Sequence, residues 1–270
     1  MPVGEKKVGL PELFYDLVFV YALSRTTELV HHADEADYTT FLITLVILFT
    51  VWLYQSIYIN RFGDNSWRDR LFLFVDMFLL LFLSNAVGSD WLANFVPFNL
   101  ALGLLVSSVC LQYLLQLARH ASPEQRRRIK LVAGLRGLTA ATVLGSLLFP
   151  AHIGQWVALG GFGLGWILPT FVSHKQPAVN FPHLLERLNG LVIIFFGETV
   201  IDIAPYFHAA KFEIGALPVI VILFAMFTVY VMQFSYFIDE HKEQNSGALP
   251  SYSHYAVLIG IALATVALAW

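Results

Sequence analysis

Charge is what this chain has least of. Only 13% of its residues are Asp, Glu, Lys or Arg, against about 25% in a soluble domain. A soluble helical protein needs a polar face on each surface helix, and stretches such as Phe41–Tyr54, Leu71–Leu83 and Leu217–Met232 have almost nothing to build one from. Basic charge is scarce as well: the net charge of -3 excludes a nucleic-acid partner, because no basic face of domain size can be assembled. Cysteine is nearly absent. The single Cys110 excludes an internal disulfide, and its apolar surroundings in the sequence make it a packing residue. Walker A, GxGxxG, GxSxG and HExxH motifs are missing, as is any cluster of Cys ligands. We therefore expect no enzyme, no cofactor and no metal centre.

What is present in excess is apolar surface, 57% of residues and a mean hydropathy of +0.67. Backbone groups in hydrocarbon must be satisfied within their own segment, so apolar runs of about 20 residues become helices. Runs at 10–31, 39–59, 68–88, 92–118, 129–149, 154–173, 184–205, 214–238 and 254–270 predict an all-α, polytopic helical transmembrane bundle of about nine spans. Residues 1–270 then form a single transmembrane domain. Lys6 and Lys7 precede an apolar stretch as in a signal peptide, but Glu12 and Asp16 interrupt it and no small-residue cleavage site follows; the first helix is retained. Basic residues collect on alternate connectors. Lys6, Lys7, Arg61, Arg68, Arg70, Arg119, Arg126, Arg127, Arg128, Lys130, Lys175, Arg187 and Lys242 fall on one side and Lys211 alone on the other, which predicts a cytoplasmic N-terminus.

Small residues recur at four-residue spacing as Ala133, Gly137, Ala141 and Gly145, as Ala256, Gly260 and Ala264, and as Gly161 and Gly165. Such ladders let helix backbones approach; packing within one protomer is the expected use, with a homo-oligomer interface as the alternative. Four glycines, Gly160, Gly161, Gly163 and Gly165, leave the continuity of the sixth span open.

Ionisable groups within spans are costly and so face a partner or water. Glu12 and Asp16, four apart, share one face of the first helix, and Arg25 and Glu28 lie near its other end. Glu12, just after Pro11, could equally serve the helix dipole. Asp76 sits mid-span with no cation three or four residues away, so it is neutral, wet or paired across helices, with Arg25, Arg61 and Arg136 as candidate partners. Arg61 ends the second helix, where snorkelling suffices. Glu186 and Arg187 open the seventh span, and Glu198 near its far end is a better buried acid than Asp202. His31, His32, Asp34 and Glu35 could approach a metal ion, but adjacent helical histidines point about 100° apart, and a solvated loop is the expectation.

The stretch Pro11-Glu12-Leu13-Phe14-Tyr15-Asp16-Leu17-Val18-Phe19-Val20 resembles the ELFFDLVFV signature of the bacterial low temperature requirement A (LtrA) family. Tyr58-Ile59-Asn60-Arg61-Phe62, His183-Leu184-Leu185-Glu186-Arg187 leading into Gly197-Glu198-Thr199-Val200, and Tyr252-Ser253-His254 agree with it in order. The resemblance implies a multi-pass protein of the bacterial plasma (inner) membrane, linked to growth in the cold and without an established biochemical activity. Family members usually continue through further helices, so this chain, ending at Trp270, is expected to lack some of them.

Two functions follow. The first is a transporter or channel for a small solute, ion or proton, with Asp16, Asp76 and Glu198 as exchanging acids, Arg25 and Asn60 as orienting partners, and Glu12, Arg61, Glu186 and Arg187 as further intramembrane polar groups. The second is a non-transporting protein that senses or stabilises the bilayer in the cold, its charges only locking helices together. Either way the lipid bilayer is the principal partner.

Overall fold

The computed structural model describes residues 6–30, 35–119, 122–172, 175–207, 214–238 and 247–269. His31, His32 and Asp34, and with them the metal-loop reading, lie outside these residues, as do Lys211 and Lys242. The described residues form nine α-helices: α1 Leu10–Thr27, α2 Glu35–Phe62, α3 Trp67–Asn85, α4 Phe95–Gln116, α5 Pro123–Gly145, α6 Ala151–Phe171, α7 Phe181–Ile203, α8 Leu217–Phe237 and α9 Ala248–Ala269. Their starts follow local chemistry. Pro occupies the first turn of α1, α5, α7 and α8, where no amide is needed for the ladder. Ser66 caps α3 by accepting the Asp69 amide, and Asn180 caps α7 by accepting that of His183.

Six helices are long and apolar enough to cross a membrane: Tyr38–Phe62, Phe95–Gln116, Pro123–Leu148, Phe181–Phe207, Ile214–Tyr236 and Ala248–Leu268. The remaining three helices, expected as spans, do not meet that measure. Glu12, Asp16 and Arg25 dilute α1, and Arg68, Asp69, Arg70 and Asp76 dilute α3. In α6 the dilution comes from Gly residues, His152 and Gln155. The helix α6 is nonetheless continuous, with Pro169 in its last turn.

The helix α2 is the axis of the bundle, in contact with α1, α4, α7 and α9. Its Trp52 is fully enclosed, stacked on Phe49 at 5.8 Å between ring centroids and tilted against Phe19 of α1 at 6.4 Å. Phe49 in turn meets the edge of Tyr255 of α9 at 4.4 Å. Aromatic pairs of this kind add about 0.5–1.5 kcal/mol each. The outer faces are greasy instead of polar. On α1, Leu13, Phe14 and Leu17 point outward while Glu12, Tyr15, Asp16 and Phe19 point in. The helix α8 exposes Val221, Phe224, Val229 and Met232, as lipid-facing helices do.

The small-residue ladders divide between two uses. Gly161 and Gly165 of α6 lie against Thr142 and Thr139 of α5, and Gly137 of α5 faces Cys110 of α4. Packing within the protomer thus accounts for these. On α9, Ala256 is exposed and a Cβ on Gly260 would meet nothing within 4 Å, so that ladder is turned outward. We predict that Gly161→Val pushes α5 and α6 apart and costs about 1–3 kcal/mol, read as a lower melting temperature in detergent. Gly160→Val, beside it in sequence but facing open space, is expected to melt as the wild type does.

Candidate functional site

Three helices bring one polar cluster together at the end of the bundle where α1 begins. Arg187 of α7 is 2% exposed and donates from Nη1 to Glu12 Oε2 at 2.7 Å and from Nη2 to Asp16 Oδ1 at 2.6 Å. Its Nη2 also reaches Ser56 Oγ of α2 at 3.2 Å, and its Cζ lies 5.3 Å from the Trp52 ring. Trp52 Nε1 donates to the same Asp16 oxygen at 2.7 Å. Glu12 serves the helix terminus too, since its Oε1 accepts the Gly9 amide at 3.1 Å. The dipole role and the ion pair are therefore both present in one residue.

Asn60 determines how the adjacent imidazole is oriented. The Asn180 amide donates to Asn60 Oδ1 at 2.8 Å, so the other end of the Asn60 amide must be the NH2 group. That group donates to the Asn180 carbonyl at 2.8 Å and to His183 Nδ1 at 3.0 Å. With Nδ1 accepting, the ring proton sits on Nε2, 3.2 Å from Glu12 Oε2 though off the line of a well-formed hydrogen bond. Lys6 supplies the second positive charge. Its ammonium caps the end of α2, donating to Ile59 O and to Gly63 O, the latter at 2.8 Å. Burial pulls its pKa down, opposed chiefly by the charges of Glu12 and Asp69. A side chain at position 63 would collide with both Ile59 and the Lys6 ammonium, which is why glycine stands there.

A second network lies deeper in the bundle. Asp76 of α3 is 1% exposed, and its Oδ2 accepts from Gln112 Nε2 of α4 at 3.3 Å while Oδ1 has no hydrogen-bond partner. Gln112 exchanges two further hydrogen bonds with Gln55 of α2, at 3.0 and 3.2 Å. None of the expected arginines reaches Asp76. Arg25 pairs with Glu28, Arg61 donates to Tyr113 and Gln176, and Arg136 lies over the ring of Tyr54.

The remaining candidates stand apart. Glu198 is 4% exposed at the far end of α7, where Thr27 Oγ1 of α1 donates to it at 3.4 Å; Asp202 is less buried. Glu186 is exposed and takes no part in the cluster around its neighbour Arg187. No group of three His, Cys, Asp or Glu side chains able to hold a metal occurs among the described residues. Sequence reasoning missed Trp52, Gln55 and Ser56, and passed over His183 as a site residue. The available signal was polar side chains inside the apolar helix α2, where each needs a partner.

Chemically, the Arg187 cluster is a lock: two carboxylates and a forked guanidinium hold α1 to α7 across α2. Removing one partner of such a pair costs about 3–5 kcal/mol, because the other charge stays buried and uncompensated. Arg187→Gln is therefore expected to cut the folded yield and the melting temperature sharply. Removing all three charges together, in Glu12→Gln, Asp16→Asn and Arg187→Gln, is expected to recover much of the loss. A triple variant no more stable than the single one would show that the pair is not the source of the effect.

Comparison with known proteins places this arrangement. The chain is 24% identical to an uncharacterized protein of Rhizobium meliloti over 296 aligned residues, covering 97% of this chain and 69% of that one. No solved structure matches. The sequence profile of the bacterial low temperature requirement A protein (LtrA) matches residues 7–270, a stretch that holds Glu12, Asp16, Asn60, Asp76, Arg187 and Glu198 alike. With nearly its whole length matched, the chain belongs to the LtrA family of bacterial membrane proteins.

Proposed function

We propose that this protein is a transporter or channel for a small solute, ion or proton in the bacterial inner membrane. In this reading it crosses the membrane about nine times, with α1, α3 and α6 as the shorter or more polar spans, and keeps its N-terminus in the cytoplasm. The observation that carries the proposal is Asp76: a carboxyl enclosed in mid-bundle, without a cation, with one oxygen unpartnered and the other bonded to Gln112, which in turn bonds Gln55. A group that only fastened helices would be paired. A lone acid in such surroundings is suited to binding and releasing a proton or cation. Asp76 and Glu198 are then the exchanging acids. Asp16, expected among them, is held by Arg187 and Trp52 and is assigned to the lock, with Asn60 as the positioning residue for His183.

One observation favours the second reading, a non-transporting protein that stabilises or senses the bilayer in the cold. Glu12, Asp16 and Arg187 are mutually paired, as a purely structural device would be. The two readings differ in what Asp76→Asn does. In proteoliposomes loaded with a pH-sensitive dye, the transport reading expects Asp76→Asn to fold normally and to lower flux at least about tenfold, the equivalent of roughly 1.4 kcal/mol. Lower folded yield with no flux in the wild type would support the second reading.

The orientation has its own test. In a Cys110→Ser background, Ser89→Cys is expected to react with an impermeant maleimide on intact cells. Arg127→Cys is expected to react only after permeabilisation; the reverse pattern would invert the assigned topology.

A further inference from the structure

Arg136 and Arg61 differ from the paired arginines of the bundle. Arg187, Arg25, Arg119 and Arg128 each have a carboxylate partner, namely Glu12 with Asp16, Glu28, Asp64 and Glu124. Among the described residues no carboxylate lies within ion-pair distance of Arg136 or Arg61. Arg136 is 5% exposed, halfway along α5. Its Cζ stands 3.2 Å over the Tyr54 ring, Nη1 makes one long hydrogen bond of 3.4 Å to the Gly165 carbonyl, and Nε has no partner. Stacking on an aromatic face offsets part of the desolvation of a guanidinium, but it leaves the charge itself uncancelled. Arg61 Nε is likewise enclosed and unpartnered, while its two Nη atoms reach only the neutral oxygens of Tyr113 and Gln176.

Both arginines border one small chamber between α2, α5, α6 and α9, lined also by Trp166, Tyr252 and Tyr255 and about 40 Å³ in volume. A water needs about 10–15 Å³ of such space, so the chamber has room for a small ion with little accompanying water. The chamber has donors, aromatic edges and two positive charges, and no acid among its lining residues. Arg61 also borders a wider recess of about 530 Å³ at the basic end of the bundle, beside Arg128. Gln176 stands between the two spaces, accepting from Arg61 on its side chain and from Arg128 on its carbonyl. Arg128 in that recess is paired with Glu124, so Arg61 and Arg136 are the positive charges without an acid.

We propose that this chamber is a binding site for a small monovalent anion, of the size of chloride, nitrate or formate, held by Arg136 with Arg61 at its mouth. The site stands without the transport reading above, whose exchanging acids are elsewhere in the bundle.

The test measures thermal stability of the full chain in detergent at constant ionic strength, with gluconate replaced stepwise by chloride or nitrate. A saturable rise in melting temperature in the wild type is expected, lost in Arg136→Gln and retained in weaker form in Arg136→Lys. A melting temperature indifferent to the anion, or the same rise in Arg136→Gln, overturns the proposal. Iodide quenching of tryptophan fluorescence supplies an independent readout that does not require Arg136→Gln to fold. Saturable quenching in the wild type that disappears in Trp166→Phe supports the site, and quenching identical in the two overturns it. Anion binding without any flux in proteoliposomes would remove the transport reading and leave the site. Proton or solute flux together with no anion binding would do the opposite.

Discussion

One guanidinium holds the bundle in register. Arg187 reaches Glu12 and Asp16 on α1 with one nitrogen each and touches Ser56 on α2 with the second of them, so α7 shares a single fork with two helices more than a hundred residues before it. In lipid no hydrophobic force draws helices together, since a lipid tail is as apolar as a leucine. Association then rests on packing and on polar groups whose alternative is exposure to hydrocarbon. Arginine suits this role better than lysine because its planar donors meet two acids at fixed angles. The pairing also explains the inverted pattern of α1, with acids inside and Leu13, Phe14 and Leu17 outside.

The helix α2 distributes the remaining polar chemistry. Within ten residues it sends Trp52 to Asp16, Tyr54 to the Gly165 carbonyl under Arg136, Gln55 to Gln112, Ser56 to Arg187, and Asn60 to His183 and Asn180. Successive helical residues point about 100° apart, so neighbours in sequence serve different networks. The lock, the lone acid and the arginine chamber are separated by little more than one turn of a single helix. A shift or rotation of α2 would be felt in all three, which gives a bundle of this design a means of coupling them.

Two of these networks are unlike in their completeness, and that difference carries the functional argument. The lock satisfies its charges internally: Glu12 and Asp16 share Arg187, and the Lys6 ammonium acts on Glu12 from nearby. Asp76 and Arg136 remain unmatched, one an acid without a cation and the other a cation without an acid. Buried groups left in this condition are expensive, which is why the proposed exchange and the proposed anion site are assigned to them.

Much of this was legible without a fold. Charge depletion and runs of about 20 apolar residues determine a helical membrane bundle, because only internal hydrogen bonding is tolerated in hydrocarbon. The segments around Glu12–Val20 and His183–Arg187 carried the family, and Asp76 and Glu198 were recognisable as acids in apolar surroundings. What tertiary structure alone decided was partnership. Arg25, Arg61 and Arg136 were all candidates for Asp76 by sequence, Arg61 the weakest of them, yet all three went elsewhere, and Glu186 and Arg187, adjacent in the chain, point to opposite environments. Along one helix the 3.6-residue period states which residues share a face, but which face meets which helix depends on the packing of all of them. The opening acids of α1 were therefore visible from composition and spacing, while their union with Arg187 existed only once α7 had been laid against them.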